Sequence, residues 1–456
     1  MSNIATQIFF LLSLCSGISP LITQENRNQS LKQGPCTLPN FLITEIQNYQ
    51  PIADEIMNAA ISGAWKGRTF EGVTTFVDKY VNRLSGTPEL EESIDYMMEK
   101  MVASGLDNVR GEDVQVPRWI RGEEKASLVE PVIKSISILG VGPSVGTPIA
   151  GISSEVIVVR SFDELEEKKD EIEGKIVVYN QGWLSSYEET SQYLHTGGIY
   201  YGAAYPKIPA ACITREDAEF LYRVYSRGDR MVLNLTMMDE ELSRVTSRNT
   251  IGKITGSLNP EEIVVVSGHI DVWDQGQGAM DDAGGVFVSV EALALIKYLG
   301  LTPKRTMQAI LWTAEEFGLV GARAFVALHK EEMMNYKAVL ESDSGNFSPL
   351  GLDFAGTEGA GCIIQEILKL TSAMNSTNYA RYETVGSDIA VMIMEGVPGI
   401  SLKTADEKYF YFHHSPADML EVLDSEELDR NTALWAITSY VLADLSVTLS
   451  REVTNE

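Results

Sequence analysis

The sequence predicts an α/β fold in which a mixed central sheet carries helices on both faces, together with an inserted, mostly-β domain. Three observations predict it. From about residue 240 onward, apolar strands alternate with helices, as in a sheet covered on both faces. From about 125 to 238, short apolar runs are separated by Gly and Pro, which indicates a β-rich insertion. Helical patterns precede that span, so one domain is predicted to continue on either side of the insertion.

The first half of this discontinuous domain, residues 41–124, is predicted to be mostly helical. Ser85-Gly86-Thr87-Pro88 has the capping residue and the proline that open a helix, and the apolar spacing of 90–98 continues it. Residues 114–116 alternate like an edge strand, which Pro117 is predicted to end.

The remaining elements follow from apolar runs and their spacing. In the inserted domain, 125–238, strands are predicted at 136–139, 156–159, 175–179, 198–200 and 232–235. In the second half of the discontinuous domain, 239–456, strands are predicted at 263–266, 307–312 and 338–341. Helices are predicted between and after them, at 283–299, 320–334 and 361–374.

The N-terminus indicates passage through the secretory route. A short apolar run at 8–15, followed by small residues, is typical of a signal peptide, which we assign to 1–20. The polar residues 21–40 suit a pro-segment. Four sequons are candidate glycosylation sites: Asn28, Asn234, Asn346 and Asn375. We expect a secreted protein, with the lysosome as a further destination.

Composition excludes several classes of partner. The chain has 456 residues and a formal net charge of −28, which repels phosphate backbones and argues against binding to nucleic acid. No stretch after the leader approaches about 18 apolar residues, so no membrane span is predicted. The three cysteines beyond the leader, Cys36, Cys212 and Cys362, cannot all pair with one another, and we expect them to be small buried hydrophobic residues.

Metal-binding side chains lie where the predicted strands end. His269-Ile270-Asp271 directly follows the strand at 263–266, and the carboxyl ends of strands in an open α/β sheet are where ligands bind. Asp271, two residues beyond His269, is expected to project the same way. A carboxylate in that place can fix the tautomer of an imidazole that binds metal.

Four further segments supply carboxylates and a second imidazole: Asp281-Asp282 before Gly284-Gly285, Glu315-Glu316, Asp343, and His413-His414-Ser415-Pro416-Ala417-Asp418. A helix N-cap would also explain the aspartate pair, and solvated surface is the usual explanation for adjacent glutamates. Apolar residues on both sides of Glu315-Glu316 argue against exposure. His195 and His329 lack neighbouring carboxylates, and we interpret them as structural or exposed.

The ligand types favour zinc. Imidazole and carboxylate without thiolate suit a catalytic zinc site, which keeps one position open for water. Two imidazoles and three carboxylates exceed what one such ion requires. The sequence therefore predicts two Zn²⁺ per chain, about 3.5–4 Å apart and sharing a bridging carboxylate.

This ordered set resembles the co-catalytic two-zinc exopeptidases related to bacterial leucine aminopeptidases, and the insertion resembles a protease-associated domain. The resemblance implies five metal ligands: His269, Asp281, Glu316, Asp343 and His414. His269 and Asp343 would hold one ion, Glu316 and His414 the other, and Asp281 would bridge both. His413 is the alternative to His414.

The resemblance also implies the roles of the neighbouring residues. Glu315 would be the catalytic general acid and base, while Asp271 and Asp418 would orient the imidazoles. The peptide bond between Asp281 and Asp282 would be cis. A homodimer and removal of the pro-segment are further implications.

The predicted activity is zinc-dependent hydrolysis of terminal peptide bonds in dipeptides and small peptides, by a carboxypeptidase or dipeptidase. Three alternatives are an aminopeptidase of the same fold, a glutaminyl-cyclase-like transferase with a single zinc, and a receptor-like relative without catalysis. Ser387-Asp388 either lines the substrate pocket or caps a helix, and the sequence favours neither.

Overall fold

The computed structural model describes residues 9–12, 30–32, 34–180, 194–201 and 206–451. These residues form two compact units. The smaller unit falls within Met1–Pro20, Pro117–Arg244 and His413–Ala417, and the larger within Leu21–Val116, Val245–Phe412 and Asp418–Glu456. The predicted insertion, 125–238, lies inside the span of the smaller unit.

The α-helices of the described residues, in chain order, are α1 Asn40–Gln47, α2 Gln50–Ile61, α3 Arg68–Lys79, α4 Pro88–Ala103, α5 Phe162–Glu167, α6 Arg215–Ser226, α7 Gly284–Tyr298, α8 Val320–Leu328, α9 Glu358–Leu368, α10 Ile389–Met394, α11 Tyr409–Phe412 and α12 Ser425–Asp444. Shorter 3-10 segments are Lys330–Asn335, Lys369–Met374 and Leu420–Val422, and Ala279–Ala283 is a π-type turn.

The β-strands are β1 Phe9–Leu12, β2 Asp107–Ile120, β3 Glu124–Glu130, β4 Lys134–Ile136, β5 Ile138–Gly140, β6 Ile152–Val159, β7 Ile176–Tyr179, β8 Ala210–Ile213, β9 Val232–Met237, β10 Glu240–Ile254, β11 Asn259–His269, β12 Arg305–Trp312, β13 Tyr336–Glu341, β14 Pro349–Ala355, β15 Asn378–Tyr382 and β16 Gly399–Thr404.

The central sheet of the larger unit has the strand order β15-β14-β16-β13-β11-β12-β10-β2. β11 lies between β12 and β13 and is parallel to both, whereas β10 is antiparallel to β12 and β14 is antiparallel to β16. The mixed sheet predicted from the sequence is therefore confirmed. Because β11, β12 and β13 are parallel, their carboxyl ends meet at one edge of this sheet.

Helices cover both faces of this sheet, as predicted. Along β11, Val264 and Val266 pack into a core formed with α7 and α12, while Val265 points to the opposite face and packs with Phe325 of α8 and Ile389 of α10. The alternation of side chains along a strand places successive apolar residues in two cores. This explains why the strands read as continuous apolar runs.

The smaller unit is mostly β, as predicted. Its sheet has the order β4-β3-β9-β6-β7-β1-β8-β5, and Ala218, Leu221 and Val224 of α6 pack into its core. Of the predicted signal peptide only Phe9–Leu12 is described, as a strand parallel to β7 and β8. The rest of 1–20, and most of the predicted pro-segment, lies outside the described residues.

Four local predictions are wrong, one on a strand, one on where a strand ends and two on the length of a helix. The strand expected at 198–200 is only an isolated bridge between Gly142 and Gly198. β2 continues through Pro117, because an edge strand tolerates a residue that cannot donate to a ladder. The helices expected at 320–334 and 361–374 both change to 3-10 turns, after Leu328 and after Leu368.

The cysteines Cys36, Cys212 and Cys362 were expected to be small buried hydrophobic residues, and this is wrong, because all three are disulfide-bonded. Cys36 and Cys362 form a disulfide with a Cα–Cα distance of 5.3 Å. The bridge joins the segment before α1 to α9. No local pattern indicates this pairing, since the two residues are 326 positions apart.

Candidate metal centre

The predicted metal-binding residues of the larger unit lie where its parallel strands end. His269 is the last residue of β11, Glu315 and Glu316 follow β12, and Asp343 lies two residues beyond β13. Asp281 lies in the π-type turn that precedes α7. The topology therefore accounts for why residues so distant in sequence are carried to one edge.

His269, Asp281 and Asp343 form the centre of the site. The Nε2 atom of His269 is 3.0 Å from Oδ1 of Asp281 and 3.4 Å from Oδ1 of Asp343. One ligand atom from each of these three residues lies within 4.8 Å of the others. His269 and Asp281 are almost completely buried.

The hydrogen bonding of His269 leaves the correct nitrogen available for a metal ion. Its Nδ1 is 3.0 Å from the backbone oxygen of Asp271. Because a carbonyl oxygen can only accept, Nδ1 carries the hydrogen and the lone pair of a neutral ring lies on Nε2, toward the two aspartates.

Electrostatics also favour a cation at this position. Burial alone would lower the pKa of His269, but the neighbouring Asp281 and Asp343 outweigh it and raise the pKa well above its usual value. Positive charge is thus strongly stabilised beside Nε2. One imidazole nitrogen and two carboxylates, of which His269 and Asp281 are buried and Asp343 is partly exposed, fit the ligands that zinc prefers.

The carboxylate of Asp271 holds the turn after β12 rather than the imidazole. Its two oxygens accept hydrogen bonds from the backbone N–H groups of Glu315, at 3.0 Å, and Glu316, at 3.3 Å. Its Oδ1 is 3.8 Å from Nδ1 of His269, so the tautomer is fixed by the backbone carbonyl of Asp271 instead. The predicted role of its side chain is corrected accordingly.

Asp418 similarly holds backbone. Its carboxylate accepts hydrogen bonds from the N–H groups of Ala279, Met280 and Asp281, at 3.1, 2.8 and 3.2 Å. Burial, followed by the charge of Asp281, raises the pKa of Asp418 to about 7. These contacts position the turn that carries Asp281, which the sequence did not indicate.

The peptide bond between Asp281 and Asp282 is cis, as the resemblance implied. The two side chains have different functions. Asp282 accepts from the backbone N–H groups of His269, at 3.1 Å, and Gly285, at 3.0 Å, so it joins the end of β11 to the start of α7. Asp282 thus accepts a backbone hydrogen bond at the start of a helix, as the capping alternative expected, while Asp281 faces His269.

The glycine pair after Asp282 is required by close packing. A Cβ atom on Gly285 would lie 1.9 Å from the backbone oxygen of Ser342 and 2.3 Å from Oδ1 of Asp282. Only a residue without a side chain lets α7 approach the strand ends this closely.

Glu315 and Glu316 differ in environment although they are adjacent. Glu316 is buried, whereas Glu315 keeps partial exposure. Burial, reinforced by the charges of Asp343 and Glu316, raises the pKa of Glu315 well above that of an ordinary glutamate. A carboxyl group of this kind is suited to accepting and returning a proton.

The histidine doublet belongs to the smaller unit. The rings of His413 and His414 stack, with their centroids 3.5 Å apart. Thr196 donates its backbone N–H to the oxygen of His414 at 2.8 Å, and Nδ1 of His195 is 2.6 Å from the oxygen of His413. His195 is thus buried and holds the doublet, while the choice of His414 over His413 as a ligand stays a prediction.

Ser387 and Asp388 precede α10. Asp388 is completely buried, and its side chain makes no capping hydrogen bond to the helix, so the capping alternative is wrong. The backbone N–H of Ser387 donates to Glu341 at 2.6 Å. Burial, and then the charge of Glu341, raises the pKa of Asp388 well above its usual value. A place for these residues in the substrate pocket stays a prediction.

The other predicted residues have mixed outcomes. His329 is held by Glu112 and Glu332 at 3.0 and 3.2 Å, which agrees with a structural role. The glycosylation prediction is wrong for Asn346, because its side chain is buried and its amide donates to Ser342. Asn234 and Asn375 are exposed, and Asn28 lies outside the described residues.

One residue at the centre was missed. Arg83 is completely buried and donates to backbone carbonyls next to His269 and before Asp281. The neighbouring segment, Ser85-Gly86-Thr87-Pro88, was interpreted only as the entry to a helix. No local pattern marks an arginine whose partners are backbone atoms far away in sequence.

The chain is similar to known proteins in both sequence and structure. A family model described as Peptidase family M28 matches residues 249–439. Carboxypeptidase Q from Mus musculus is 44% identical over 436 residues, covering 89% of this chain and 92% of that protein. The similarity confirms the resemblance that the sequence motifs suggested.

Two solved structures have the same fold. A Peptidase M28 precursor from Shewanella amazonensis has a TM-score of 0.83 at 26% identity, covering 89% of this chain and 99% of that one. A zinc aminopeptidase from Bacillus subtilis has a TM-score of 0.66 at 18% identity, covering 86% of this chain and 98% of that one.

Proposed function

Because the chain belongs to peptidase family M28 and is therefore a hydrolase, we propose that it is a zinc-dependent exopeptidase that removes terminal residues from dipeptides and small peptides. The observation that carries this proposal is the buried cluster of His269, Asp281 and Asp343 at the carboxyl edge of the central sheet. The zinc aminopeptidase of the same fold supports the choice of metal.

Two zinc ions per chain are proposed. His269 and Asp343 would bind one ion, Glu316 and His414 the other, and Asp281 would bridge them. The distances from Nε2 of His269 to Asp281 and Asp343 support the first ion site. The second is supported by Glu316, which is buried and whose backbone N–H is held by Asp271. Bound zinc would lower the pKa of a water molecule and polarise the carbonyl of the scissile bond.

Glu315 is proposed to move the proton. It projects from a turn that Asp271 fixes, and its raised pKa lets it hold a proton after taking it from water. It then returns that proton to the leaving amine, which cannot depart as an anion. Asp271 and Asp418 act by fixing the backbone of Glu315 and Asp281.

The similarity to Carboxypeptidase Q favours cleavage at the carboxyl terminus, and an aminopeptidase is the second candidate because the zinc aminopeptidase shares the fold. A panel of free, N-acetylated and C-amidated dipeptides separates the two. We expect C-amidation to abolish cleavage, N-acetylation to be tolerated, and a chelator to stop all turnover. Full activity in zinc-free protein would refute the proposal.

A secreted, homodimeric protein is also proposed, with a signal peptide at 1–20, a pro-segment at 21–40 and a protease-associated domain at 125–238. The disulfide of Cys36 and Cys362 supports an oxidising compartment. None of the described helices has the length and apolar character needed to span a bilayer. Mass spectrometry of the secreted chain would identify its N-terminus and any glycan on Asn234 or Asn375.

A further inference from the structure

Arg83 lies four residues beyond the end of α3, and its guanidinium makes four hydrogen bonds to backbone carbonyls. Nε donates to Ile270 at 2.9 Å, Nη1 to Tyr80 and Gln277 at 2.9 Å each, and Nη2 to Gly278 at 3.0 Å. The side chain is completely buried.

The positions of these carbonyls connect Arg83 to the metal centre. Ile270 stands between His269 and Asp271, so its carbonyl belongs to the segment that ends β11. Gln277 and Gly278 precede Asp281 on the turn that enters α7. One rigid, planar group therefore joins the two segments whose side chains meet at Nε2 of His269.

The approach of the guanidinium is built into the packing. A Cβ atom on Gly278 would lie 2.2 Å from the side chain of Val272 and 2.9 Å from Nη2 of Arg83, and Gly278 has the positive φ of 60° that glycine adopts readily. On its other side, the guanidinium carbon is 4.8 Å from the centre of the Phe76 ring. Gly278 and the ring of Phe76 thus both lie close to the guanidinium group of Arg83.

Arg83 also supplies charge without an ion pair. Among the described residues no carboxylate is within ion-pair distance of it, yet Asp418, Asp271 and Asp282 are close enough to stabilise its charge. Burial lowers the pKa of Arg83 to about 10, which still leaves it protonated at neutral pH. The positive charge of Arg83 thus partly neutralises the nearby aspartates, although its hydrogen bonds go to backbone carbonyls and not to carboxylate oxygens.

We propose that Arg83 is a positioning residue for the metal centre, setting the zinc affinity by fixing the spacing between the His269 segment and the Asp281 turn. This inference rests on the proposed zinc site. Lysine cannot replace Arg83, because an ammonium group is a point donor that cannot reach carbonyls on both segments at once.

The test compares Arg83→Lys with Arg305→Lys. Arg305 is also buried and also bonds a backbone carbonyl, that of Leu445, but its carboxylate partner is Glu262 at the opposite end of the strands. Zinc affinity is measured on the full-length apo protein by competition with a chelator of known strength. We expect Arg83→Lys to weaken zinc binding by about 10–100-fold and Arg305→Lys to leave it unchanged.

A second readout is the visible spectrum of the cobalt-substituted protein, which reports ligand geometry. We expect it to change in Arg83→Lys and not in Arg305→Lys. If Arg83→Lys does not fold, Phe76→Leu, which removes the ring that packs on the guanidinium and keeps the arginine, is expected to weaken zinc binding instead. Wild-type zinc affinity in a folded Arg83→Lys protein would overturn the inference, whereas a wild-type chain that binds no zinc would overturn the proposed function itself.

Discussion

Asp271 accepts a hydrogen bond of 3.0 Å from the backbone N–H of Glu315, and this contact fixes the direction in which the Glu315 side chain leaves its turn. The neighbouring Ala314 has a positive φ of 55°, a conformation that an L-residue adopts only when its surroundings impose it. A carboxylate with two backbone donors is the restraint that imposes it here.

Replacing Asp271 by Asn should therefore reduce kcat more than it raises KM. An amide offers one acceptor where the carboxylate offers two, so either Glu315 or Glu316 loses its bond, at a cost of about 1–3 kcal/mol or roughly 10–100-fold in rate. Steady-state kinetics on a dipeptide measure the change in kcat and the change in KM separately. Asp353→Asn, which removes only a contact to Lys403, is the control and should behave like wild type. An unchanged kcat in Asp271→Asn would contradict the role.

The adjacent glutamates allow a sharper comparison. Glu315→Gln should keep its bound zinc but lose turnover by about 10²–10⁴-fold, because an amide cannot accept the proton from water. Glu316→Gln should instead lose zinc, since it removes a proposed ligand. Metal content by mass spectrometry, with single-turnover kinetics on the same samples, distinguishes the two. Residual activity near the wild-type level in Glu315→Gln would exclude it as the base.

The central sheet was predictable because its physical signal is local. Each buried strand is a continuous apolar run with polar, metal-binding residue types at or just beyond its end, as at His269, the last residue of β11. Successive side chains of a strand pack into the cores on opposite faces of the sheet, so neither face of the strand is polar and the apolar run is uninterrupted. The less regular strand predicted at 198–200 failed because its few apolar residues gain little burial.

The supporting contacts were not predictable, since they depend on backbone atoms. Asp271 and Asp418 were expected to orient imidazoles, but nothing in the sequence indicated that each carboxylate also accepts from N–H groups whose directions are set by turns. Arg83 bonds carbonyls nearly 200 positions away, with |i−j| of 195 to Gly278. The disulfide between Cys36 and Cys362 could not be predicted for the same reason, because the two residues are close only in the folded chain.

Gly285→Ala should disrupt both the fold near the site and zinc binding. The new Cβ would overlap the backbone oxygen of Ser342, so α7 must move away from the strand ends and take Asp282 with it. We expect a loss of stability of about 1–3 kcal/mol and weaker zinc binding. Gly359→Ala in α9 is the matched control, because nothing lies within 4 Å of its Cβ, and it should be neutral or slightly stabilising. Equal denaturation midpoints for the two variants would contradict this account.

Removing the disulfide between Cys36 and Cys362 should lower the stability of the folded chain without affecting the metal centre. Cys36→Ser combined with Cys362→Ser releases the segment before α1 from α9, and we expect a loss of about 2–5 kcal/mol in unfolding free energy. Denaturant unfolding of the wild-type chain and of the double variant, both without reductant because Cys212 is disulfide-bonded as well, measures it. Zinc content should be unchanged, since both cysteines lie outside the segments that carry the proposed ligands. A loss of zinc in the folded double variant would show that the segment supports the centre.

A buried acid pair in the smaller unit gives a prediction on pH. Asp239 accepts from the backbone N–H of Gly122 at 3.0 Å, and Glu124 accepts from Arg121 at 3.0 Å and from the backbone of Gly140. A Cβ on Gly140 would touch both acids, at 2.2 Å from Glu124 and 2.8 Å from Asp239, so the two carboxyl groups face the same space. Burial, and then the charge of Glu124, raises the pKa of Asp239 from 3.8 to about 7.

The sign of the effect follows from proton linkage. Between pH 3.8 and about 7 the folded chain keeps a proton on Asp239 that the unfolded chain releases, so stability falls as pH rises through this window and the full penalty is present above it. Asp239→Asn removes the ionisation while keeping the shape. Its melting temperature relative to wild type should therefore rise from pH 4 to 7, by about 2–4 °C, and then level off. Asp229→Asn, at an exposed position of the same unit, should track wild type throughout. A melting-temperature difference between Asp239→Asn and wild type that stays constant from pH 4 to 8 would mean that Asp239 is charged in the folded chain across the whole range.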